Sequence, residues 1–572
     1  MVLACAVAVL CSGGAVAAPQ PVYVFPVPLA RFASPRTQIT FRGVNPAQIG
    51  PIRVDGSRSG AHSGHILPDS DGRGGSFIPD APFFPGETVV VRTGLQIVGG
   101  SNGAFPFRVA SPARPNRGAA FPPAARVRGD IARFRSRPDL APAAVTVTRQ
   151  SSRTAKGDIF IGPEVGPIQD GPMIVDWRGR LIWFKPLPHR QFATDFRVQR
   201  YHGTPVLTWW EGKVAVGIGT GRGVIADRSY REIATVHAAN GLTADLHEFQ
   251  LTPSGTALVT AYFPVYTDAR SVHGSARQVV EDCVVQEIDI PTGLVLFQWD
   301  SLDHVPLRGS HGPLKTPYNY FHVNSVQRDR DGNLIISGRN TWSVYKVDHR
   351  TAATLWILGG KHSSFKMGRG TQFAYQHDAR VRARGDRLIT VYDDGGSPFV
   401  HNSRGVTLRL DFKHKRATRV RQYAHSPALQ SQFEGNMQQL SNGDEMIGWG
   451  QPPFFSEFNR RGQMIFDARF VGANSSYRAW RMRWNATPNT LPAIAAANRG
   501  GRTTVWASWN GATGVTRWRV LGGSTPNRLH VVGAANRSDF ETAINVGRQS
   551  YVAVEALDGR SHVLKKSVTK RT

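Results

Sequence analysis

Short runs that alternate apolar and polar residues predict β-strands at both ends of the chain. Between residues 19 and 110 these runs are divided by Gly, Pro and Asp, as in Gln38–Phe41 and Thr88–Val91. The same pattern returns between residues 486 and 572, for example in Thr504–Trp509. Alternation with period two is typical of strands that bury one face. We therefore expect Ig/fibronectin-like β-sandwich domains over 19–110 and 486–572.

The middle of the chain carries a repeat made only of strands. In each copy an apolar strand ends in Asp or Asn, a short turn follows, and a second apolar strand ends at or near an aromatic residue. The polar ends of the six copies are Asp176, Asp227, Asp289, Asp348, Asp411 and Asn459, at intervals of 51, 62, 59, 63 and 48 residues. All-strand repeats of this length are typical of propeller blades. The predicted fold class is therefore all-β, with a six-bladed β-propeller over 151–485 joined to the first sandwich by an Ala/Pro/Arg-rich linker over 111–150.

The charge balance suggests an anionic partner. The chain has 69 Lys and Arg against 41 Asp and Glu, a formal net charge of +28. The basic residues are scattered, and neither a dense basic cluster nor a zinc-finger spacing is present, so we expect no nucleic-acid partner. Two interpretations stay open, namely association with the cell envelope and a positively charged site for anionic substrates.

The N-terminus predicts export. Residues 1–18 form an apolar stretch that ends near Ala15–Ala17, a small-x-small cleavage pattern, and this indicates a signal peptide. An uncleaved membrane anchor is the alternative, but the apolar run is shorter than the roughly 20 residues of a spanning helix. Cys5 and Cys11 fall inside this segment, so Cys283 is the one cysteine of the mature chain, which can form no internal disulfide. We expect an extracellular or cell-envelope protein.

Three of the repeats begin a strand–turn–strand unit with a histidine. Aligned on their turns, His247 and His377 share one register with Asn324, and His322 lies two residues earlier. Side chains along a strand alternate with period two, so all four should point the same way. Because the first strand of a propeller blade lines the central channel, the three imidazoles are expected to meet near the axis.

One arginine joins the predicted histidine cluster. Asp331–Gly332 turns the chain back, and Arg339 lies at the end of the hairpin where His322 began. Three histidines could hold zinc, but Arg339 would repel a cation, so we favour an oxyanion site and expect neither metal nor cofactor. Asp393 and Asp394 are candidate supporting acids or Ca²⁺ ligands.

Several aromatic residues near the same strands are candidates to hold an aromatic substrate. They are Trp209, Trp210, Tyr320, Tyr375 and Trp449. For most of them we expect packing between blades instead.

Four motifs of the central section resemble a known family. His322–Ser325 (H-x-N-S), Ser337–Asn340 (S-x-R-N), Leu358–Gly360 and Gln376–Ala379 are similar to the arylsulfate sulfotransferases of bacteria, in particular the multidomain exported branch of these arylsulfotransferases. The resemblance extends over about residues 240–470.

The resemblance implies transfer of a sulfuryl group from an aryl sulfate ester to a phenol, without a nucleotide donor. Carried over by motif, His377 is the candidate nucleophile that becomes sulfated. His247, His322 and Arg339 would hold the sulfuryl oxygens, and His247 or His322 would also act as acid or base toward the phenol oxygen. Asn324 would contribute to substrate binding. A neutral imidazole is a competent nucleophile near neutral pH.

Two other functions fit a propeller of this layout. Some six-bladed propellers oxidise sugars with a quinone cofactor and a channel histidine and arginine. Alternatively, a sandwich–propeller–sandwich protein can be a non-catalytic cell-surface module that binds glycans or other envelope ligands.

Overall fold

The computed structural model describes residues 21–115, 125–166, 168–382, 387–396 and 402–572. Within these residues the protein is all-β, as expected, and its sheets are small and antiparallel apart from one short parallel strand pair. The single α-helix of the described residues is α1 (Ser301–His304), and short 3₁₀ turns lie at Pro46–Gln48, Arg270–Val272 and Leu307–Gly309. None of the helices in the described part is long and apolar enough to cross a membrane. The predicted signal peptide, residues 1–18, lies outside the described residues.

The N-terminal section contains two four-stranded sheets. Its strands are β1 (Tyr23–Phe25), β2 (Ile39–Arg42), β3 (Arg53–Gly56), β4 (Gly60–His62), β5 (Gly64–Pro68), β6 (Gly74–Pro79), β7 (Thr88–Arg92) and β8 (Ala104–Arg108). The sheet orders are β1-β2-β6-β5 and β4-β3-β7-β8. Alternate apolar residues of both sheets, such as Phe41, Val91 and Phe105, are buried in one shared core. This common core is what the period-two pattern predicts for two stacked sheets.

The central section begins with twelve strands, and all but the first of them belong to three sheets. They are β9 (Val145–Arg149), β10 (Asp158–Glu164), β11 (Met173–Val175), β12 (Leu181–Phe184), β13 (Phe192–Tyr201), β14 (Thr204–Ala215), β15 (Ile218–Ala226), β16 (Glu232–Val236), β17 (Phe249–Leu251), β18 (Ala257–Thr267), β19 (Gln278–Ile288) and β20 (Val295–Asp300). The four strands β13 to β16 form one sheet in chain order, and β17 to β20 form the next. Strands β10 to β12 belong to a sheet that a later strand completes.

The same section continues with three further sheets. Its strands are β21 (Val323–Arg328), β22 (Leu334–Gly338), β23 (Ser343–Val347), β24 (Thr354–Gly359), β25 (Lys366–Met367), β26 (His377–Val381), β27 (Leu388–Asp393), β28 (Arg404–Asp411), β29 (Arg416–Tyr423), β30 (Asn436–Gln439), β31 (Glu445–Gly448), β32 (Phe454–Phe458), β33 (Met464–Phe470) and β34 (Ser475–Met482). The sheet orders are β21-β22-β23-β24, β25-β29-β28-β27-β26 and β30-β31-β32-β33-β9. Strand β34 pairs with β10 and completes the sheet β12-β11-β10-β34, so the end of this section closes on its beginning.

Part of the stretch expected to be a linker is a strand. Within residues 111–150, Val145–Arg149 forms β9, which pairs with the outer strand β33 of the last central sheet. Val145 and Val147 pack against the apolar core beneath that sheet, which explains why this segment is ordered into it. Residues 116–124 of the same stretch are outside the described residues.

The C-terminal section contains two more sheets. Its strands are β35 (Ala493–Arg499), β36 (Arg502–Ser508), β37 (Arg517–Thr525), β38 (Arg528–Asn536), β39 (Glu541–Gly547), β40 (Tyr551–Leu557), β41 (Val563–Lys566) and β42 (Lys570–Arg571). The sheet orders are β35-β36-β39 and β38-β37-β40-β41, with β42 paired to β40. Buried residues such as Val505, Trp518 and Val554 fill one core between them.

Candidate active site

The structure brings together the three histidines and the arginine that the sequence singled out. His247 and His322 precede β17 and β21, His377 opens β26, and Arg339 follows β22. The rings of His247 and His322 are 4.9 Å apart and nearly perpendicular. Tyr477 links His247 to His377, since the centre of its ring lies 5.6 Å from that of His247 and 6.3 Å from that of His377. The backbone N–H of Arg339 donates to the carbonyl of His322 at 2.9 Å, as the predicted hairpin requires.

The ring of His377 is fixed by a carboxylate. Its Nδ1 lies 2.6 Å from Oδ2 of Asp394, and both side chains are buried. When Asp394 is ionised, Nδ1 carries the proton and donates it to the carboxylate, which leaves the lone pair on Nε2. The backbone N–H of Glu434 donates to this Nε2 at 3.3 Å. His377 is therefore oriented as a nucleophile whose reactive lone pair accepts one long backbone hydrogen bond.

His247 is held in the same tautomer by a different carboxylate. Its Nδ1 lies 2.5 Å from Oδ2 of Asp245, which also accepts the backbone N–H of His247 at 3.1 Å. No described residue forms a hydrogen bond with Nε2 of His247. This nitrogen is consequently able to exchange a proton with a substrate.

His322 is held in the opposite tautomer. The side-chain amide Nδ2 of Asn319 donates to Nδ1 of His322 at 2.7 Å. Because Nδ1 accepts this hydrogen bond, the proton of the neutral ring is on Nε2. His322 is therefore a hydrogen-bond donor toward the site, whereas His247 and His377 present lone pairs.

Arg339 is positioned by three contacts. Its guanidinium donates to the carbonyl of Gln432 at 2.7 Å and to Oδ1 of Asn340 at 2.9 Å. The guanidinium carbon lies 4.6 Å from the ring centre of Tyr375, a cation–π contact. These contacts orient the planar fork beside the histidines, where it can offer N–H groups to an oxyanion.

Electrostatics keep two of the rings neutral. Burial, followed by the nearby charges of His247 and Arg339, holds the pKa of His322 well below its ordinary value. Burial and then Arg339 lower the pKa of His377 in the same way. Burial raises the pKa of the Asp394 carboxyl well above its ordinary value, and Arg339 opposes this shift without cancelling it. Arg339 is thus the group that acts in favour of the ionised Asp394 and the neutral His377 that a nucleophilic ring needs.

Asn324 lies between the strands that carry the histidines. It is fully buried, and its Nδ2 donates to the carbonyl of Gln376 at 2.6 Å, directly before His377. Its own carbonyl accepts the hydroxyl of Tyr477 at 2.8 Å. Its Oδ1 has no hydrogen-bond partner in the described residues. The contacts give Asn324 a part in positioning His377, and its direct contact with substrate stays a prediction.

Buried charges lie next to the histidines and link residues on β13, β26 and β34 with Glu248, which directly precedes β17. The participants are three arginines and three carboxylates, namely Arg197, Arg380, Arg478, Asp195, Glu248 and Asp378. Glu248 is the centre of the network and accepts from Arg197 at 2.7 Å, Arg380 at 2.6 Å and Arg478 at 3.2 Å. Burial alone would raise the pKa of Glu248, but the arginines hold it well below its ordinary value. Because three arginines face three carboxylates, the charge of Arg478 is neutralised within this network.

Most of the aromatic candidates are core residues, as expected. Trp209, Trp210, Tyr320 and Trp449 are fully buried. Tyr375 alone among the five contacts a predicted site residue.

Sequence reasoning missed several residues of the site. They are Tyr262, Tyr477, Asn319, Asp245 and Glu434. Asp245 and Asn319 could have been found, because they stand two residues before His247 and three residues before His322. The other three come from segments that no local pattern connects to the histidines. In the described residues, no group of three or more His, Cys, Asp or Glu is arranged to hold a metal ion.

Comparisons with known proteins give one family and several distant structures. Residues 197–471 match the family model described as arylsulfotransferase (ASST). No curated protein matches the chain. A protein of unknown function from Bacteroides caccae aligns with 57% of this chain and 98% of its own, at 14% identity and a TM-score of 0.36. An exo-β-1,3-galactanase from Phanerochaete chrysosporium aligns with 72% and 99%, at 10% identity and 0.28. A virginiamycin B lyase from Staphylococcus aureus aligns with 64% and 96%, at 8% identity and 0.27.

Proposed function

We propose that this chain, whose residues 197–471 belong to the arylsulfotransferase family, moves a sulfuryl group from an aryl sulfate to a phenol through a sulfated histidine. The observation that carries the proposal is the pairing of His377 with Asp394 beside Arg339. This arrangement offers one imidazole lone pair and a fixed cation to a tetrahedral oxyanion. Membership of the family supplies the substrate class, aryl sulfates and phenols.

In the first half-reaction, Nε2 of His377 attacks the sulfur of the aryl sulfate. The new N–S bond forms while the bond between sulfur and the aryl oxygen breaks, and the electron pair leaves with the phenolate. The ring of His377 gains positive charge, which faces the carboxylate of Asp394. Arg339, the Nε2–H of His322 and the backbone N–H of Glu434 donate to the sulfuryl oxygens, as fixed donors do in phosphoryl transfer.

In the second half-reaction, the oxygen of an acceptor phenol attacks the sulfur and the N–S bond breaks. His247 is the acid and base of the cycle: it enters the cycle with both ring nitrogens protonated, its Nε2 gives a proton to the departing phenolate, and the same nitrogen takes a proton back from the acceptor hydroxyl. Asp245 holds Nδ1 of the same ring and balances its charge in the protonated state. Splitting the transfer into two displacements through a covalent intermediate is the general advantage of nucleophilic catalysis.

The six central sheets are proposed to be the blades of a propeller. Each contains a run of antiparallel strands in chain order, and β34 pairs with β10 to join the last blade to the first. Arg478 on β34 pairs with Asp195 on β13 and with Glu248, which directly precedes β17, as a residue near a central axis would. The two-sheet sections at either end are proposed to be the flanking Ig/fibronectin-like sandwiches, and export through residues 1–18 is part of the same proposal.

The proposal is tested with 4-nitrophenyl sulfate. Purified protein is mixed with this donor, with and without phenol, while nitrophenolate release is followed by absorbance and the protein by intact mass. The expected result is release that depends on phenol, and a mass increase of one sulfuryl group when phenol is omitted. His377→Ala should lose both signals.

A matched control separates chemistry from folding. His414 also pairs with an aspartate, Asp411, but is exposed, so His414→Ala should retain activity. Arg339→Lys should weaken transfer strongly, because a single ammonium replaces the planar fork. A sulfuryl adduct that persists in His377→Ala would remove the proposed nucleophile, and the absence of release with several aryl sulfates would remove the proposed function.

A further inference from the structure

A long hairpin from the neighbouring sheet reaches the histidine cluster. Strands β14 and β15 contain 12 and 9 residues, against 5 each for the equivalent β22 and β23. They are joined by a two-residue turn, Val216–Gly217, because Ala215 pairs with Ile218. A Cβ placed on Gly217 would lie 3.9 Å from Cε1 of His322. The tip of the hairpin is therefore in van der Waals range of the site.

The hairpin is anchored to the segment that carries His247. The backbone N–H of Gly219 donates to Oδ1 of Asp245 at 2.6 Å, and that of Gly221 donates to the carbonyl of Ala244 at 3.0 Å. Asp245 thus binds the tip of the hairpin with one oxygen and His247 with the other. The position of the tip and the orientation of a site histidine depend on one carboxylate.

Glycines let the hairpin lie directly on a buried indole. A Cβ on Gly212, Gly219 or Gly221 would lie 2.8, 2.7 or 2.6 Å from Cζ2 of Trp210. Contacts this short are not tolerated, so each of these positions requires glycine. The Nε1–H of Trp210 donates to the carbonyl of Ala244 at 3.0 Å. The base of the hairpin therefore packs directly on Trp210, and its tip is hydrogen-bonded to Asp245.

The residue at the tip does not suit the turn. Val216 and Gly217 have φ of +52° and +73°, the left-handed values of a type I′ turn, for which Asn-Gly is preferred. Elsewhere in this chain Asn240–Gly241 has φ of +60° and +76° with the usual asparagine. A β-branched residue at such φ is strained, and Val216 is also 54% exposed. A strained and exposed apolar side chain at the edge of a site is typical of a residue retained for binding.

We propose that Val216 and Gly217 form a wall of the aryl-binding site and determine which aromatic rings the protein accepts. The inference rests on the proposed function and adds a specificity determinant to it. Tyr262 contributes to the same surface, since its ring lies 5.7 Å from His322 and its hydroxyl is bound to the carbonyl of Val323. The hairpin tip is apolar, and the ring of Tyr262 is fixed by the hydrogen bond of its hydroxyl. Both suit a flat, uncharged aryl group next to the sulfuryl-binding side chains.

The test uses a substitution that the backbone should favour. Val216→Asn supplies the residue a type I′ turn prefers while it removes the apolar contact, so the thermal unfolding midpoint should stay the same or rise. Binding of benzenesulfonate and 2-naphthalenesulfonate, which cannot transfer their sulfonate group, is measured by calorimetry. We expect Val216→Asn to lower the affinity for 2-naphthalenesulfonate roughly tenfold and the affinity for benzenesulfonate by less. Val531→Asn, at a 59% exposed valine on β38, is the matched control and should change neither affinity.

Kinetics separate this inference from the proposed function. The ratio of kcat/KM for 2-naphthol to that for phenol is measured with 4-nitrophenyl sulfate as donor, and Val216→Trp should lower this ratio about tenfold. Suppose that the wild type is active and that both Val216 variants change the selectivity and the sulfonate affinities by less than about twofold. This result overturns the inference about the hairpin tip and leaves the proposed function standing. A wild type that binds neither sulfonate and transfers no sulfuryl group overturns both.

Discussion

Asp394→Asn changes one atom in the pair that orients the proposed nucleophile. In the wild type, Nδ1 of His377 donates to Oδ2 of Asp394 at 2.6 Å. An asparagine that keeps this geometry can present its amide nitrogen, which donates to Nδ1 and moves the ring proton to Nε2. The lone pair that should attack sulfur is then lost.

The amide can also turn around, and the structure shows what that costs. Its nitrogen would then occupy the position of Oδ1, which has no hydrogen-bond partner in the described residues. A buried N–H group without an acceptor costs about 1–3 kcal/mol. The carboxylate's charge-assisted hydrogen bond to the positively charged ring is lost as well, at about 1.5–3 kcal/mol. We therefore expect a loss of about 2.5–6 kcal/mol, or roughly 10²- to 10⁴-fold, in the rate of adduct formation.

The assay measures the first half-reaction by itself. Adduct formation from 4-nitrophenyl sulfate is followed in a rapid-mixing instrument without acceptor, and the adduct is identified by intact mass. Nitrophenolate is a good leaving group, so the measurement depends little on proton donation by His247. Thermal unfolding of each variant shows whether the fold is retained.

Asp245→Asn is the matched control, because it makes the same chemical change in the other Asp–His pair. It should slow transfer to phenol much more than adduct formation from 4-nitrophenyl sulfate. A rate of adduct formation in Asp394→Asn within about threefold of the wild-type rate would refute the reasoning. If Asp245→Asn instead abolished the adduct while His377→Ala retained it, His247 would be the nucleophile.

Two further predictions follow from buried charge. Arg339→Gln should move the acid limb of the pH–rate profile of adduct formation to higher pH. Arg339 lowers the pKa of both His377 and Asp394, so its loss lets both groups hold protons at higher pH. A measured profile whose acid limb does not move contradicts this prediction. Glu248→Ala should lower the free energy of unfolding by about 3–5 kcal/mol, because Arg478 and its partner arginines lose a fully buried counter-charge. Denaturant unfolding measures this change. A change below about 1 kcal/mol would show that the network is not needed for stability.

The strands and the histidines could be predicted because their signals are local. Alternation with period two identifies a strand from its own residues, and the repeat in the central section divides the chain into similar units. His247 and His377 stand at equivalent positions of such units, and Arg339 is bound to His322 through the hairpin they share. The all-β class is confirmed, residues 197–471 match the arylsulfotransferase family that the motifs resemble, and the six-bladed arrangement stays a proposal that the six sheets support.

The partners of the histidines were decided by the tertiary structure alone. Asp394 was noted only as a candidate acid, and no periodicity linked it to His377, from which 17 residues separate it. The linker stretch showed the same limit, since its last residues join a sheet through β33, a strand more than 300 positions later.

The chain by itself determined which side chains carry the chemistry, because residue type and strand register are written in neighbouring positions. Only the folded protein determined the protonation pattern of the site. A tautomer depends on which donor or acceptor faces Nδ1, and these groups are Asp245, Asn319 and Asp394. The tertiary structure also brought the tip of the β14–β15 hairpin to His322. Contact between neighbouring sheets follows from their packing and from no local pattern.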